Sequence, residues 1–385
     1  MNVLGWTLVT LSFSAAPDDE ESCPYCLEDP ERMAAIGVVS HGPFPIARGS
    51  SEDLLELPAG HGWRFLETEH MRFASNLGPG RLNADLREQF ADELDFLREH
   101  CPEVPERPRR LDPWLRLHVQ ALLCEQLYER FLAVVQHSDE DFPTEPRRLG
   151  DTYMGNGPYL GEMDKYEVVW HNRRSTHQTF TRTHMGMQVT DALRWHFSPE
   201  HKHTASIPAE DSDLASDEWL HPHTAHLLTQ MFLAGFKDFS YDPPVWVDVG
   251  LAHAFERSIH PESTTLEGDE GGAPHRGDHM NWEGRDARLA RKRDAPNFAR
   301  LLALQTYGQL DLDLHIIAWS YTRFLMEAHP DEFARFLGAI KAQLDENENP
   351  TGRDLVGLQR RLLRELWDWT PAQLDAAWKE WVAEQ

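Results

Sequence analysis

His221 to Phe236 read HPHTAHLLTQMFLAGF, and Pro244 to Ile259 read PVWVDVGLAHAFERSI. Both stretches are long and mostly apolar. They predict two helices, the first starting near Pro222 and the second just after Pro243-Pro244, because Pro is favoured where a helix begins and its missing N–H has no partner to lose. The pair also gathers metal-type donors. His221, His223 and His226 lie on the first helix or beside it, and Asp248 and His253 on the second. His223 and His226 are three apart and share a face. His253 follows Val249 by one turn and lies on the same side of its helix.

Upstream, Trp63 to Ser75 (WRFLETEHMRFAS) has strand-like apolar positions, and a helix is expected over Asn83 to His100. Asp112-Pro113 caps and starts a longer helix that runs to about Val135. Glu167 to Phe180 reads as a strand or hairpin from its β-branched and aromatic residues. Residues 198 to 217 read as an acidic loop, and 261 to 282 as a long one. Downstream, Leu314 to Met326 and Asp331 to Leu344 form a helical pair broken at Pro330. Thr370-Pro371-Ala372-Gln373 is a capping box opening a terminal helix with Leu374, Ala377, Trp378 and Trp381 at helical spacing. Strands thus precede helices rather than alternating with them, which predicts an α+β fold: a small amino-terminal sheet with helices, then a mostly helical half.

The chain has 385 residues, with 64 acidic against 37 basic side chains and a net charge of −27. Such a surface repels nucleic acid and anionic lipid heads. The first sixteen residues are apolar and end in small residues before PDDEE, the pattern of a secretory signal peptide without its basic start, so export is expected, to the periplasm or beyond. No later segment has membrane-spanning length. Residues 17 to 60, rich in Gly, Pro, Ser and acids, read as a tether or surface wrap. Residues 61 to 340 read as the main domain, and 341 to 385 as a helical extension packed on it. Cys23-Pro-Tyr-Cys26 has redox spacing but an acidic setting, so in an exported chain a local disulfide is expected; no second ligand pair for a zinc knuckle is evident nearby.

In order, four of these pieces resemble the peptidase MA-like gluzincins, zinc metallopeptidases of bacteria. WRFLETEHMRFAS resembles that family's opening strand, and PVWVDVGLAHAFE its P-x-W-x-x-E-G-L-A-x-x-F-E segment. AWSYTRFLMEAHPDEFARFLGAIK resembles its later helical pair, and LWDWTPAQLDAAWKEWV its terminal tryptophan-rich helix. The resemblance implies a zincin-like fold in which an H-E-x-x-H helix supplies two zinc ligands and a general base, and a Glu on the next helix supplies the third ligand. Matching PHTAH to that motif puts Pro222 at the first ligand, His223 at the general base and His226 at the second ligand. Val249 stands where the third ligand belongs, and Asp248 beside it is turned by about 100° around the helix.

Three readings follow. In the first, the chain is a non-catalytic member whose cleft binds a peptide or protein. In the second, it is a divergent metal-dependent hydrolase in which His223, His226 and His253, with His221 as a substitute, hold zinc or a similar ion. In the third, the fold serves as a structural or interaction scaffold.

Overall fold

A computed structural model describes residues 22–57, 62–145, 150, 152–209, 214–267, 272–275, 281–292 and 295–385. The apolar start and its cleavage site lie outside these residues.

The central sheet has five strands: β1 (Arg64–Glu67), β2 (Met71–Ser75), β3 (Tyr166–His171), β4 (Leu193–Phe197) and β5 (Lys202–Pro208), in the spatial order β1-β2-β3-β5-β4. β1 and β2 form an antiparallel hairpin. β2 and β3 are parallel, as are β3 and β5, while β4 closes the edge antiparallel to β5. The connection from β2 to β3 carries α1 (Pro113–Val135). Asp112 accepts from the N–H groups of Trp114 and Leu115, so this helix starts where Asp-Pro predicts.

β3 is buried along all six residues because both faces of the sheet are covered. On one face Phe44, Ile46, Leu54, Val169, Phe180 and Leu193 pack together. The other face meets α1 and α2 (Asp217–Gly235), and the main core continues through α3 (Val245–Ile259). The helical half follows with α4 (Trp282–Arg291), α5 (Leu312–Ala328), α6 (Pro330–Lys341), α7 (Leu355–Trp367) and α8 (Pro371–Glu384). Thr370 and Gln373 make the capping box of α8 as expected. The α+β character of the chain is therefore as the sequence predicts.

Local expectations differ at three places. Glu167 to Phe180 is not one strand or hairpin: β3 ends at His171, and Arg174–Phe180 is a helix that buries Thr176, His177 and Phe180 on one face. Residues 198 to 217 are not all loop, because β5 lies within them. All seven of its residues are buried, with the Lys202 ammonium and the Thr204 hydroxyl both bonded to the Glu167 carboxylate. Residues 261 to 282 are not all loop either, because Thr265–Glu267 pairs antiparallel with Gly272–Pro274. Residues 22–57 form a covering layer, the surface wrap of the two expected alternatives. Cys23, Tyr25, Cys26, Ile36 and Val38 are buried in the main core, and Phe44, Ile46 and Leu54 on the second face.

Candidate functional site

α2 starts earlier than the sequence predicts. Ser216 caps it by accepting from the Glu218 N–H, and Pro222 lies inside the helix rather than at its start. The proline removes a single backbone hydrogen bond, early in a helix whose residues from Leu220 to Gly235 are buried. α3 packs along α2, and α5 packs against α3. The second contact requires Gly250, because a Cβ there would collide with the Thr322 hydroxyl and the Ala318 carbonyl.

The two helices bring His226 and His253 together, with ring centroids 4.8 Å apart. The group they share is Glu256, which sequence reasoning missed. Its Oε2 accepts from His226 Nδ1 at 2.8 Å, from His253 Nδ1 at 3.1 Å and from the Thr265 N–H at 3.2 Å. Its Oε1 accepts from the Ser263 hydroxyl at 2.9 Å and the Thr265 hydroxyl at 2.8 Å. Burial alone would raise the carboxyl's pKa, but the charges and hydrogen bonds of His226 and His253 hold it well below the usual range. His253 Nε2 lies 3.0 Å from His315 Nδ1.

His223 does not converge on the same point. Its Nδ1 bonds the Thr265 hydroxyl at 2.8 Å, and that hydroxyl donates to Glu256. The expected His223/His226/His253 triad is thus replaced by His226, His253 and Glu256, whose donor atoms all lie within 4.8 Å of one another. His221 is buried, which pushes its pKa down to about 4. Val249 is fully buried in the apolar core. Asp248 points elsewhere, accepting from Gln230 at 3.0 Å and from the Tyr307 hydroxyl at 2.6 Å.

Two imidazoles and a carboxylate are the donor types of a catalytic zinc site, but this arrangement does not fit one. His226, His253 and Glu256 are each 0% exposed. The carboxylate already accepts five N–H or O–H donors, so no position stands open for water or a scissile carbonyl. The cluster is a closed polar knot that ties α2, α3 and the strand Thr265–Glu267 together.

An open concavity of about 700 Å³ lies beside the carboxyl-terminal half of α3, lined by Arg130, Arg257, Arg323, Trp319, Glu283 and Asp286. Arg257 stacks over Trp282 at 4.5 Å and faces Trp319 at 5.4 Å, while Arg323 lies 5.0 Å from the Trp319 ring. Trp319 is therefore held between two guanidinium groups. Arg130 donates to the Ser258 hydroxyl at 2.6 Å. Burial lowers the pKa of both Arg130 and Arg257. Asp286 accepts from the Ser320 hydroxyl at 2.7 Å, and burial pushes its carboxyl up to about 7.

The expected disulfide is not formed. All four cysteines are free thiols. Cys23 Sγ lies 3.1 Å from His118 Nε2, and Cys26 Sγ lies 3.0 Å from His41 Nε2. Among the described residues, no helix is long and apolar enough to cross a membrane. No protein-family profile matches the chain, and no curated protein matches it.

Proposed function

We propose that this chain is a non-catalytic binding protein of gluzincin-like architecture, acting outside the cytoplasm, and that it holds carboxylate-bearing peptide ends in the arginine–tryptophan concavity. The observation that carries the reading is the contrast between a closed cluster and an open concavity, both built on α3. In the cluster, His226, which stands at a ligand position of the peptidase motif, is bound up with His253 and Glu256, and none of the three is exposed. In the concavity, three arginines line open space together with Glu283, Asp286 and Glu327, and Arg323 pairs with Glu327 at 2.8 Å. Guanidinium groups pair with carboxylates through two parallel hydrogen bonds. The order of the elements supports the gluzincin-like part: a hairpin, a crossover helix, a parallel strand, an antiparallel edge strand, a second parallel strand, then two packed helices.

The test has two arms. Peptide hydrolysis by the zinc-supplemented protein is expected to stay at background. Chelator-sensitive turnover that disappears in Glu256→Gln would overturn the non-catalytic reading. Calorimetry with a short peptide ending in a free carboxylate is expected to show binding that weakens about 10- to 100-fold in Arg257→Gln, the loss of one charge-assisted contact. Equal affinity for the carboxylate and its amidated twin would remove the proposed ligand.

A further inference from the structure

We propose that Cys23, Cys26, His41 and His118 bind one zinc ion in a closed, tetrahedral, structural site. The argument starts from the turn that holds the cysteines. Leu27 N–H bonds the Cys23 carbonyl at 3.1 Å and Asp29 N–H bonds the Cys26 carbonyl at 2.9 Å, so both thiols project from one tight loop. The other two donors come from far away in sequence. His41 precedes β1, and His118 lies in the second turn of α1. All four ligand atoms lie within 4.8 Å of one another. A zinc ion with Zn–S of about 2.3 Å and Zn–N of about 2.0–2.1 Å holds its donors about 3.3–3.8 Å apart, so the observed cage needs shifts on the order of 1 Å at most of the pairs to close on the metal.

The supporting residues fit the same assignment. His41 Nδ1 lies 2.9 Å from the Phe65 carbonyl. A carbonyl only accepts, so Nδ1 carries the proton and the Nε2 lone pair is aimed at the cage, as a metal-ligating histidine requires. Trp114 stands edge-on to His41 at 5.0 Å and walls the cage on that side. Charge decides the rest. Binding releases one proton from each thiol, and two thiolates, two neutral imidazoles and a divalent ion sum to zero. A neutral site suits this setting, where Cys23 and Cys26 are 1% and 0% exposed. Four protein ligands leave no open position, so the site has a structural role rather than a catalytic one. It pins residues 22–41 to α1 and to the edge of β1.

A metal-free thiolate that reacts with substrates or oxidants is the rival. Burial opposes it, because a reactive thiol must be reachable. Soft thiolate donors in a tetrahedral set with two imidazoles select zinc over hard cations.

The experiment uses the full chain without a histidine tag. Elemental analysis is expected to find one zinc per chain. The zinc should be lost in the double variant Cys23→Ser/Cys26→Ser and kept in His226→Ala. Cobalt(II) exchanged into the wild-type protein is expected to give thiolate-to-metal charge-transfer bands and the intense visible bands of a tetrahedral centre. That spectrum decides the matter even if the double variant does not fold. Wild-type protein that carries no metal and gives no cobalt–thiolate band would overturn the proposal. So would a mass lower by two hydrogens that maps to a Cys23–Cys26 disulfide, or zinc that survives the double variant and is lost in His226→Ala.

Discussion

Asp286 should make the protein less stable as pH rises through neutrality, and removing its charge should reverse this. The carboxyl is 5% exposed, and its pKa is raised from 3.8 to about 7 by burial. Between those two values the folded state keeps the proton and the unfolded chain has lost it. Unfolding then releases a proton, so stability falls with rising pH across that window and stays at the lower level above it. At about 1.36 kcal/mol per tenfold, the full interval amounts to about 4 kcal/mol, of which less than half has been lost by pH 5 and nearly all by pH 8. Asp286→Asn keeps an acceptor for the Ser320 hydroxyl, which itself accepts from the Trp378 indole N–H. The variant's stability relative to wild type should therefore be about 2–3 kcal/mol more favourable at pH 8 than at pH 5. Urea unfolding of both proteins at both pH values measures this, because every other titrating group cancels in the double difference. A relative stability that is the same at the two pH values, or that moves the other way, would refute the reasoning. In the concavity, the same ionisation should weaken binding of a carboxylate ligand as pH passes about 7, by adding a like charge beside it.

Other expectations follow from particular contacts. Glu256→Ala should cost about 3–5 kcal/mol in chemical unfolding, since it leaves His226 and His253 buried without their shared acceptor; a loss below about 1 kcal/mol would mean the knot is not what holds the helices. Gly250→Ala should destabilise the chain by about 1–3 kcal/mol, read as a lower melting temperature, because the added methyl meets the Ala318 carbonyl and the Thr322 hydroxyl. Arg116→Ala breaks a 2.9 Å ion pair with Asp217, both side chains 2% exposed or less, and should cost about 3–5 kcal/mol in the same assay.

The helices were the legible part of the sequence, because their signals are local. Asp112-Pro113 and Thr370 to Gln373 announce their own helix starts, and the apolar runs of α2 and α3 need no partner to be recognised. β5 was hidden because a buried strand normally reads as apolar, whereas this one carries Lys202, His203, Thr204 and Ser206; Lys202 and Thr204 are satisfied by Glu167, a residue no local pattern connects to them. At the site, the convergence of His226 with the second helix was readable from spacing. Glu256 is marked in the sequence by standing three residues after His253, on the same helix face, but the peptidase pattern assigns the third ligand to the Val249 position and gives Glu256 no role. The cysteine–histidine cage was only half visible. Cys26 and His41 are 15 positions apart and Cys23 and His118 are 95 apart, so nothing local marks the second pair as ligands. Only the fold of β1 against α1 brings them to the loop.

The parallel pairing of β2 with β3 also governs the order in which the molecule can assemble. Met71 meets Tyr166 only after close to a hundred intervening residues have been gathered, whereas α2 and α3 are joined by a short connection and can meet while little else is formed. Closing the longer loop costs more chain entropy before any contact repays it. During refolding, helical ellipticity should therefore return before the sheet's aromatic environment, which Phe73 stacked on Trp170 at 5.5 Å would report. During synthesis, β1 and β2 leave the ribosome long before β3 and wait with an unpaired edge. That waiting hairpin is the stretch most exposed to pairing with another chain.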